Sequence, residues 1–241
     1  MSTRLSVVAI SLCLLVVVIG CTAVRITGSG QVVTWDEPIS DFDRLDISHG
    51  FRVSIEQAET FAVVIRIDDN LVSHLQVAKE GRTLRIGFKP RSTYYIGKST
   101  LEATVSMPEL TGLELSGGSE ATITGFASSK AFAAELSGDS ILRGDIQVGD
   151  ARFTLSGESQ CILSGSAGDL TLEASGDSQA DLSGFAVADA NLEISGESEA
   201  TVNASGRLNV EASGESKVYY VGNPTLGTID ATGGSEVNAR Q

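Results

Sequence analysis

A four-residue motif, serine, glycine, an acidic residue or glycine, and serine, recurs through the C-terminal half of this 241-residue chain and constrains its fold more than any other feature. Copies begin at Ser116, Ser137, Ser156, Ser175, Ser195, Ser213 and Thr232. Successive steps are 21, 19, 19, 20, 18 and 19 residues. A strand–helix–strand unit needs about 30 residues or more, so these steps exclude helices between the copies.

Apolar and polar residues alternate on both sides of each motif. The residues three and one positions before it are apolar, as in Leu113 and Leu115, and the residue between them is polar. A second alternation follows, as in Ala121 and Ile123, and a glycine such as Gly144 usually closes it. A period of two is typical of strands with one buried face. Each repeat is therefore predicted to consist of a strand, a glycine turn, a second strand and a second glycine turn.

Repeats of this size cannot bury a hydrophobic face alone, so neighbouring repeats must stack. We predict an all-β fold, a single-stranded parallel β-helix of seven rungs over residues 110–241, with equivalent strands about 4.8 Å apart. The chirality of crossover connections favours a right-handed coil. Irregular strands over residues 36–109 are predicted to extend or cap the helix. The alternative, an antiparallel meander of hairpins, has no need of identical turn chemistry at a fixed step.

The first twenty residues have the pattern of a secretory signal. Arg4 precedes an apolar run, which ends in Val18-Ile19-Gly20-Cys21. That tetrapeptide resembles a bacterial lipobox, which predicts a signal peptide over residues 1–20, a lipid on Cys21, and a tether and first strand over residues 21–35. The alternative is an uncleaved anchor helix. Both interpretations place the body of the chain in the cell envelope, with the membrane as a partner.

Charge and cysteine usage exclude further classes of protein. The chain has 17 basic and 31 acidic residues, and loss of Arg4 with the signal leaves 16 basic residues and a net charge near −15. Such a surface repels nucleic acid, so no nucleic-acid partner is expected. Cys13 would leave with the signal and Cys21 would be acylated. Cys161 therefore has no partner for an intrachain disulfide.

Stacking would align the acidic residues of successive repeats into two columns. The acidic ladder, at the third motif position, comprises Asp139, Glu158, Asp177, Glu197 and Glu215. The acidic column, two residues before the motif, comprises Glu114, Glu135, Glu173, Glu193, Glu211 and Asp230. Two charges 5 Å apart in water repel by about 0.8 kcal/mol. Either Ca²⁺ ions bound along the acidic ladder and the acidic column offset this repulsion, or the two rows form a solvated acidic face that salt screens. No other cofactor is expected.

Catalytic patterns are weak in this sequence. The serines lie in no G-x-S-x-G motif, and His49 and His74 lie outside the repeats, so the repeated serines are interpreted as turn residues that bond the backbone or one another. No histidine and cysteine cluster has metal-site spacing. A polysaccharide-cleaving β-helix is the enzyme alternative, since paired carboxylates suit that chemistry. Tyr94-Tyr95, near Arg91 and Lys98, is either a binding loop or a loop packed on the helix end.

Five segments, in this order, resemble the putative auto-transporter adhesin head GIN domain family of exported bacterial proteins, many of them lipoproteins. They are residues 40–47, 51–55, 64–71, 81–86 and 108–117, and the resemblance extends over residues 39–241. It implies a β-helical extracellular domain with an adhesin-like role. We therefore expect a non-catalytic lipoprotein that binds a glycan or protein surface. A polysaccharide-active enzyme and a structural subunit of an envelope assembly are the alternatives.

Overall fold

The computed structural model describes residues 24–89 and 94–240. The predicted signal peptide, Cys21 and Arg91 lie outside the described residues. The described chain is nearly all β, with 61% strand and 3% helix. None of its helices is long and apolar enough to span a bilayer.

Within residues 24–89 and 94–109, nine strands and one 3-10 helix precede the repeats. They are β1 (Val24–Ile26), β2 (Val32–Asp36), β3 (Arg44–Ile47), β4 (Arg52–Gln57), β5 (Ala62–Asp68), the 3-10 helix (Asp69–His74), β6 (Leu75–Glu80), β7 (Thr83–Phe88), β8 (Tyr94–Ile96) and β9 (Leu101–Met107).

The repeats contribute fourteen further strands, two for each motif. They are β10 (Gly112–Leu115), β11 (Glu120–Ala127), β12 (Phe132–Leu136), β13 (Ile141–Gln147), β14 (Ala151–Leu155), β15 (Gln160–Ser166), β16 (Leu170–Ala174), β17 (Gln179–Val187), β18 (Ala190–Ile194), β19 (Glu199–Ala204), β20 (Arg207–Ala212), β21 (Lys217–Val221), β22 (Thr225–Ala231) and β23 (Glu236–Ala239).

Two long sheets enclose the core. From β10 onward the even-numbered strands form sheet I and the odd-numbered strands form sheet II, and each strand pairs in parallel with its equivalent one turn away. Thus Leu113 pairs with Ala134, which pairs with Phe153. The predicted parallel β-helix is confirmed as a β-solenoid of about six turns, and the meander is wrong. The repeats contain the seven predicted strand pairs, from β10–β11 to β22–β23, and the chain makes six turns in passing from the first pair to the last.

The strands before the repeats extend the same solenoid. Strands β3 and β4 pair in parallel with β10 and β11 on one side and with β7 and β9 on the other. The rung that comes first in the chain therefore lies inside the stack. Antiparallel pairs β5–β9, β2–β5 and β6–β7 complete this end, and β1 pairs with β8 in a separate two-stranded sheet. Strands β6 and β7 form a hairpin whose turn contains Gly81, with φ +62°.

One hydrophobic cluster runs from Ile26 to Val218. The predicted inward residues are buried, apart from those of the last rung, where Ile229 is 37% exposed. Phe132, Phe153 and Phe185 stack along the axis, with ring centroids 6.1 and 5.9 Å apart. Cys161 is buried and free, and burial raises the pKa of its thiol to about 12.

The second glycine of the repeat lies inside its strand at Gly125, Gly144, Gly165 and Gly184, whereas Gly222 directly follows the end of β21. Gly144 lies inside β13 with φ +136°, and Gly165 lies inside β15 with φ +115°. The positive φ bends the chain, yet pairing continues beyond the bend, where Ile146 points into the core. The predicted strand boundary at these glycines is therefore wrong. The bend lets one strand cover two sides of the core.

The fourth residue of the motif is a buried structural serine. The hydroxyl of Ser140 donates to the carbonyl oxygen of Ser137 at 2.8 Å, and Ser159 donates to Ser156 at the same distance. This bond closes the turn between the sheets in five of the motifs, whereas the hydroxyl of Ser198 donates to Gly176 O at 3.3 Å and that of Ser235 to Gly214 O at 3.4 Å. The structural interpretation of the repeated serines holds at this position, where the hydroxyls bond carbonyl oxygens.

Candidate functional site

The acidic ladder lies along the corner between sheets I and II. All five of its residues are exposed. The backbone N–H of Asp177 donates to Gly157 O and that of Glu197 to Gly176 O, both at 2.8 Å, so equivalent residues lie one above another. The ladder therefore runs along the turn, and its last two residues, Glu197 and Glu215, line an open pocket of about 260 Å³ together with Glu199 and Lys217.

Within residues 24–89 and 94–240, no three His, Cys, Asp or Glu side chains are grouped so that they could hold a metal ion. Bound Ca²⁺ and a salt-screened acidic face both stay hypotheses for the ladder.

The acidic column lies on the outer face of sheet I. Strand register places Glu173, Glu193, Glu211 and Asp230 side by side on four consecutive strands. At the other end of the sheet Glu114 lies between Asp46 and Glu135. Partial burial, and then the charges of these two neighbours, raise the pKa of Glu114 above its ordinary value. At this end of the column the carboxylates of Asp46, Glu114 and Glu135 therefore repel one another.

A row of hydroxyl groups lies beside the acidic column. Together the two rows line an open groove of about 430 Å³, which we call the acid–hydroxyl groove. Its acidic residues are Glu173, Glu193, Glu211 and Asp230, and its hydroxyl residues are Thr154, Ser156, Ser175, Ser195, Ser213 and Thr232. No basic side chain is among its lining residues, although Arg152 approaches from outside and pairs with Glu173.

The groove serines differ from the buried serines of the same motifs. Ser175 Oγ lies 3.5 Å from Leu155 O, and Ser195 Oγ lies 3.5 Å from Ala174 O. Hydrogen bonds of this length are weak compared with the 2.8 Å bonds of the buried serines. The groove hydroxyls are therefore able to rotate toward a partner at little cost.

A third row of acidic residues, which was not predicted from the sequence, accepts hydrogen bonds from backbone N–H groups. The Oδ1 atom of Asp150 accepts the N–H of Asp169 at 3.0 Å, and Oδ1 of Asp189 accepts the N–H of Arg207 at 2.7 Å. These carboxylates satisfy backbone donors at the return turn of each rung. The signal was present as glycine or alanine followed by aspartate before alternate strands, at 149–150, 168–169 and 188–189.

The two tyrosines of the predicted loop lie in different environments. The Tyr94 ring packs against His49, His74 and Phe88 at the end of the solenoid, whereas Tyr95 is 64% exposed. Of the two alternatives for this loop, packing on the end of the solenoid is therefore correct for Tyr94 but not for Tyr95.

Comparisons with known proteins agree with this architecture. The sequence pattern of the family described as "Putative auto-transporter adhesin, head GIN domain" matches residues 41–224. No curated protein is significantly similar to the chain.

Solved structures with the same fold include proteins from Bacteroides and Parabacteroides species. A putative adhesin from Bacteroides fragilis is 18% identical, with a TM-score of 0.79, over 89% of this chain and all of its own. A putative lipid binding protein from Parabacteroides distasonis is 19% identical, with a TM-score of 0.72, over 90% of this chain and all of its own. A putative adhesin from Parabacteroides merdae is 16% identical, with a TM-score of 0.66, over 90% and 99% of the two chains.

Proposed function

Because the chain belongs to the putative auto-transporter adhesin, head GIN domain family, we propose that it is a lipid-anchored, non-catalytic binding module of the cell envelope. In this proposal the acid–hydroxyl groove binds an extended partner that carries a row of ammonium groups. An amino-sugar polymer and a lysine-rich protein segment share this chemistry.

The observation that carries the proposal is the alignment of carboxylates and hydroxyls along one groove. Glu173, Glu193, Glu211 and Asp230 repeat at the strand spacing of about 4.8 Å. Because Arg152 pairs with Glu173, the uncompensated repulsion adds up along Glu193, Glu211 and Asp230. An ammonium group between two of them removes that repulsion and donates charge-assisted hydrogen bonds. The hydroxyl row beside the carboxylates offers both donors and acceptors to the same partner.

The arrangement favours binding over catalysis. Acid–base cleavage of a glycoside needs two carboxylates whose environments differ, so that one is protonated and the other ionised. Within the described chain the groove carboxylates occupy equivalent positions on successive strands, and no basic residue is among the groove lining. The structural neighbours are described as adhesins and as a lipid binding protein, which supports the same choice.

A polysaccharide-active enzyme stays the alternative because the groove does hold carboxylates from separate rungs. Incubation with polysaccharides, followed by an assay for new reducing ends, distinguishes the two. We expect no release of reducing ends. Release that disappears in the Glu193→Gln variant would replace the binding proposal with an enzymatic one.

The anchor is proposed at Cys21. We expect Cys21→Ser to release the protein from membranes into the soluble fraction. Persistent membrane association of this variant would contradict lipidation.

Binding in the groove is tested with the full-length protein in detergent, using oligolysine, chitosan oligosaccharides and neutral chitin oligosaccharides as probes. The double variant Glu193→Gln/Glu211→Gln removes two groove charges. The matched control Glu158→Gln/Asp177→Asn removes two charges from the exposed acidic ladder. We expect the groove variant to weaken oligolysine or chitosan binding roughly ten-fold or more, with a much smaller effect in the control. Equal losses in both variants would show general charge attraction and contradict a groove site.

A further inference from the structure

A second cavity lies at the N-terminal end of the solenoid. It has a volume of about 570 Å³, within the range of small-molecule sites. It is bordered by the turn between β3 and β4, by β8 and the segment after it, and by the first motif. We call it the end pocket and define it by His49, Arg52, Tyr94, Lys98, Ser99 and Ser116.

The end pocket is locally positive in a chain of net charge −14. Its lining contains Arg52 and Lys98 and no aspartate or glutamate. Strand register places Arg52 between Glu102 and Glu120, but Glu102 is paired with Arg66 at 2.6 Å. The ion pairs formed by residues 24–89 and 94–240 include neither Arg52 nor Lys98. Both cations are therefore available to a ligand.

An aromatic wall of the pocket is fixed in place. The Tyr94 ring centroid lies 5.3 Å from that of Phe88, 5.7 Å from His74 and 5.9 Å from His49. Its hydroxyl donates to the carbonyl oxygen of Lys89 at 3.2 Å. A ring held from several sides loses little entropy when a ligand packs on it.

His49 adds a strained and neutral polar group. It has φ +66°, in the left-handed region that non-glycine residues seldom occupy. Its Nδ1 atom accepts the backbone N–H of Phe88 at 3.4 Å and lies 2.7 Å from Ser48 Oγ. The neutral ring therefore carries its proton on Nε2, and burial lowers the pKa of His49, which favours this neutral form. Strained residues held by local hydrogen bonds cluster at ligand sites.

We propose that the end pocket binds an acidic sugar. Arg52 and Lys98 contact its carboxylate or phosphate group, the Tyr94 ring packs against the sugar ring, and the hydroxyls of Ser99 and Ser116 bond its hydroxyl groups. The site is separate from the acid–hydroxyl groove and has the opposite charge, so it does not depend on the function proposed above.

The experiment is calorimetric titration of the full-length protein in detergent with glucuronate, glucose 6-phosphate, glucose and inorganic phosphate. We expect saturable binding of the two acidic sugars, weaker binding of phosphate, and none of glucose. The Arg52→Gln/Lys98→Gln variant should weaken binding of acidic sugars roughly ten-fold or more. The control variant Arg143→Gln/Lys217→Gln removes two exposed cations from the repeats and should leave it unchanged.

All four substituted side chains are exposed, so we expect both variants to fold. Thermal melting curves that match that of the unmodified protein establish this. The groove variant Glu193→Gln/Glu211→Gln should bind acidic sugars as the unmodified protein does, which separates this inference from the proposed function. Equal binding of glucose and glucuronate, or equal loss in the two cation variants, would overturn it. Binding to anionic vesicles but to no acidic sugar would also overturn it, in favour of a membrane surface.

Discussion

Gly144 has no room for a side chain because a Cβ atom there would overlap the carbonyl oxygen of Ile123 on the neighbouring strand. Its φ of +136° is also unfavourable for any other residue. We expect Gly144→Ala to lower the free energy of unfolding by about 3 kcal/mol, since backbone strain and overpacking add. Urea unfolding measures this change.

Gly125, in the preceding repeat, is the matched control. It has φ +78° but open space where a Cβ would lie. Gly125→Ala should therefore cost about 1 kcal/mol, from strain alone. Equal destabilisation by the two substitutions would contradict the close approach of Gly144 to Ile123.

The buried serine of each motif should contribute to stability, whereas its exposed partner should not. Ser140→Ala removes the hydroxyl that donates to Ser137 O and should cost about 1 kcal/mol. Ser137→Ala, in the same motif, changes an exposed side chain and should stay within about 0.5 kcal/mol. Thermal or urea unfolding of the two variants distinguishes the positions. A larger effect at Ser137 would mean that the turn is held differently.

Glu114 should make stability dependent on pH. Its pKa is raised in the folded state by partial burial and by Asp46 and Glu135. Its contribution is therefore present below its unfolded pKa, near 4.3, and is lost as pH rises through the folded pKa. We expect Glu114→Gln to raise the Tm at pH 7 and to leave it unchanged at pH 3. The control variant Glu59→Gln removes one charge from an exposed turn outside the acidic column. The same Tm difference at both pH values would contradict this assignment.

Calcium should not stabilise the acidic ladder specifically. Its five carboxylates lie on an open corner, and the described chain groups no three acidic side chains for a metal ion. We expect Ca²⁺ to raise the Tm no more than Mg²⁺ does at the same ionic strength, because both act by screening. A rise specific to Ca²⁺, abolished by Asp177→Asn/Glu197→Gln, would establish the cation site instead.

Much of the fold was predictable because the repeat specifies it locally. The motif spacing gave the parallel solenoid, and the alternation at Leu113 and Leu115 gave its inward face. The order of the first rungs was not predictable, since β3 pairs with β7 through long-range contacts that have no motif. The sequence pattern predicts turns at Gly144 and Gly165, where the structure has bends within strands, because a turn and such a bend both favour a glycine with positive φ.

The candidate site was predictable only as rows of residues. Stacking alone places Glu193 beside Glu211, whereas the depth of the groove depends on how the sheet and its side chains pack. The end pocket joins His49 to Tyr94 and Lys98, which lie more than forty positions further along the chain. Only the insertion of β3 and β4 into the stack brings these residues together.

The most direct test of the groove proposal is carboxyl-carbon NMR of the protein with labelled Asp and Glu, titrated with oligolysine or chitosan oligosaccharide. We expect the signals of Glu173, Glu193, Glu211 and Asp230 to shift together and to saturate. The signals of Asp139, Glu158 and Asp177 should change little. Equal shifts along the ladder and the groove, or shifts confined to the ladder, would contradict it.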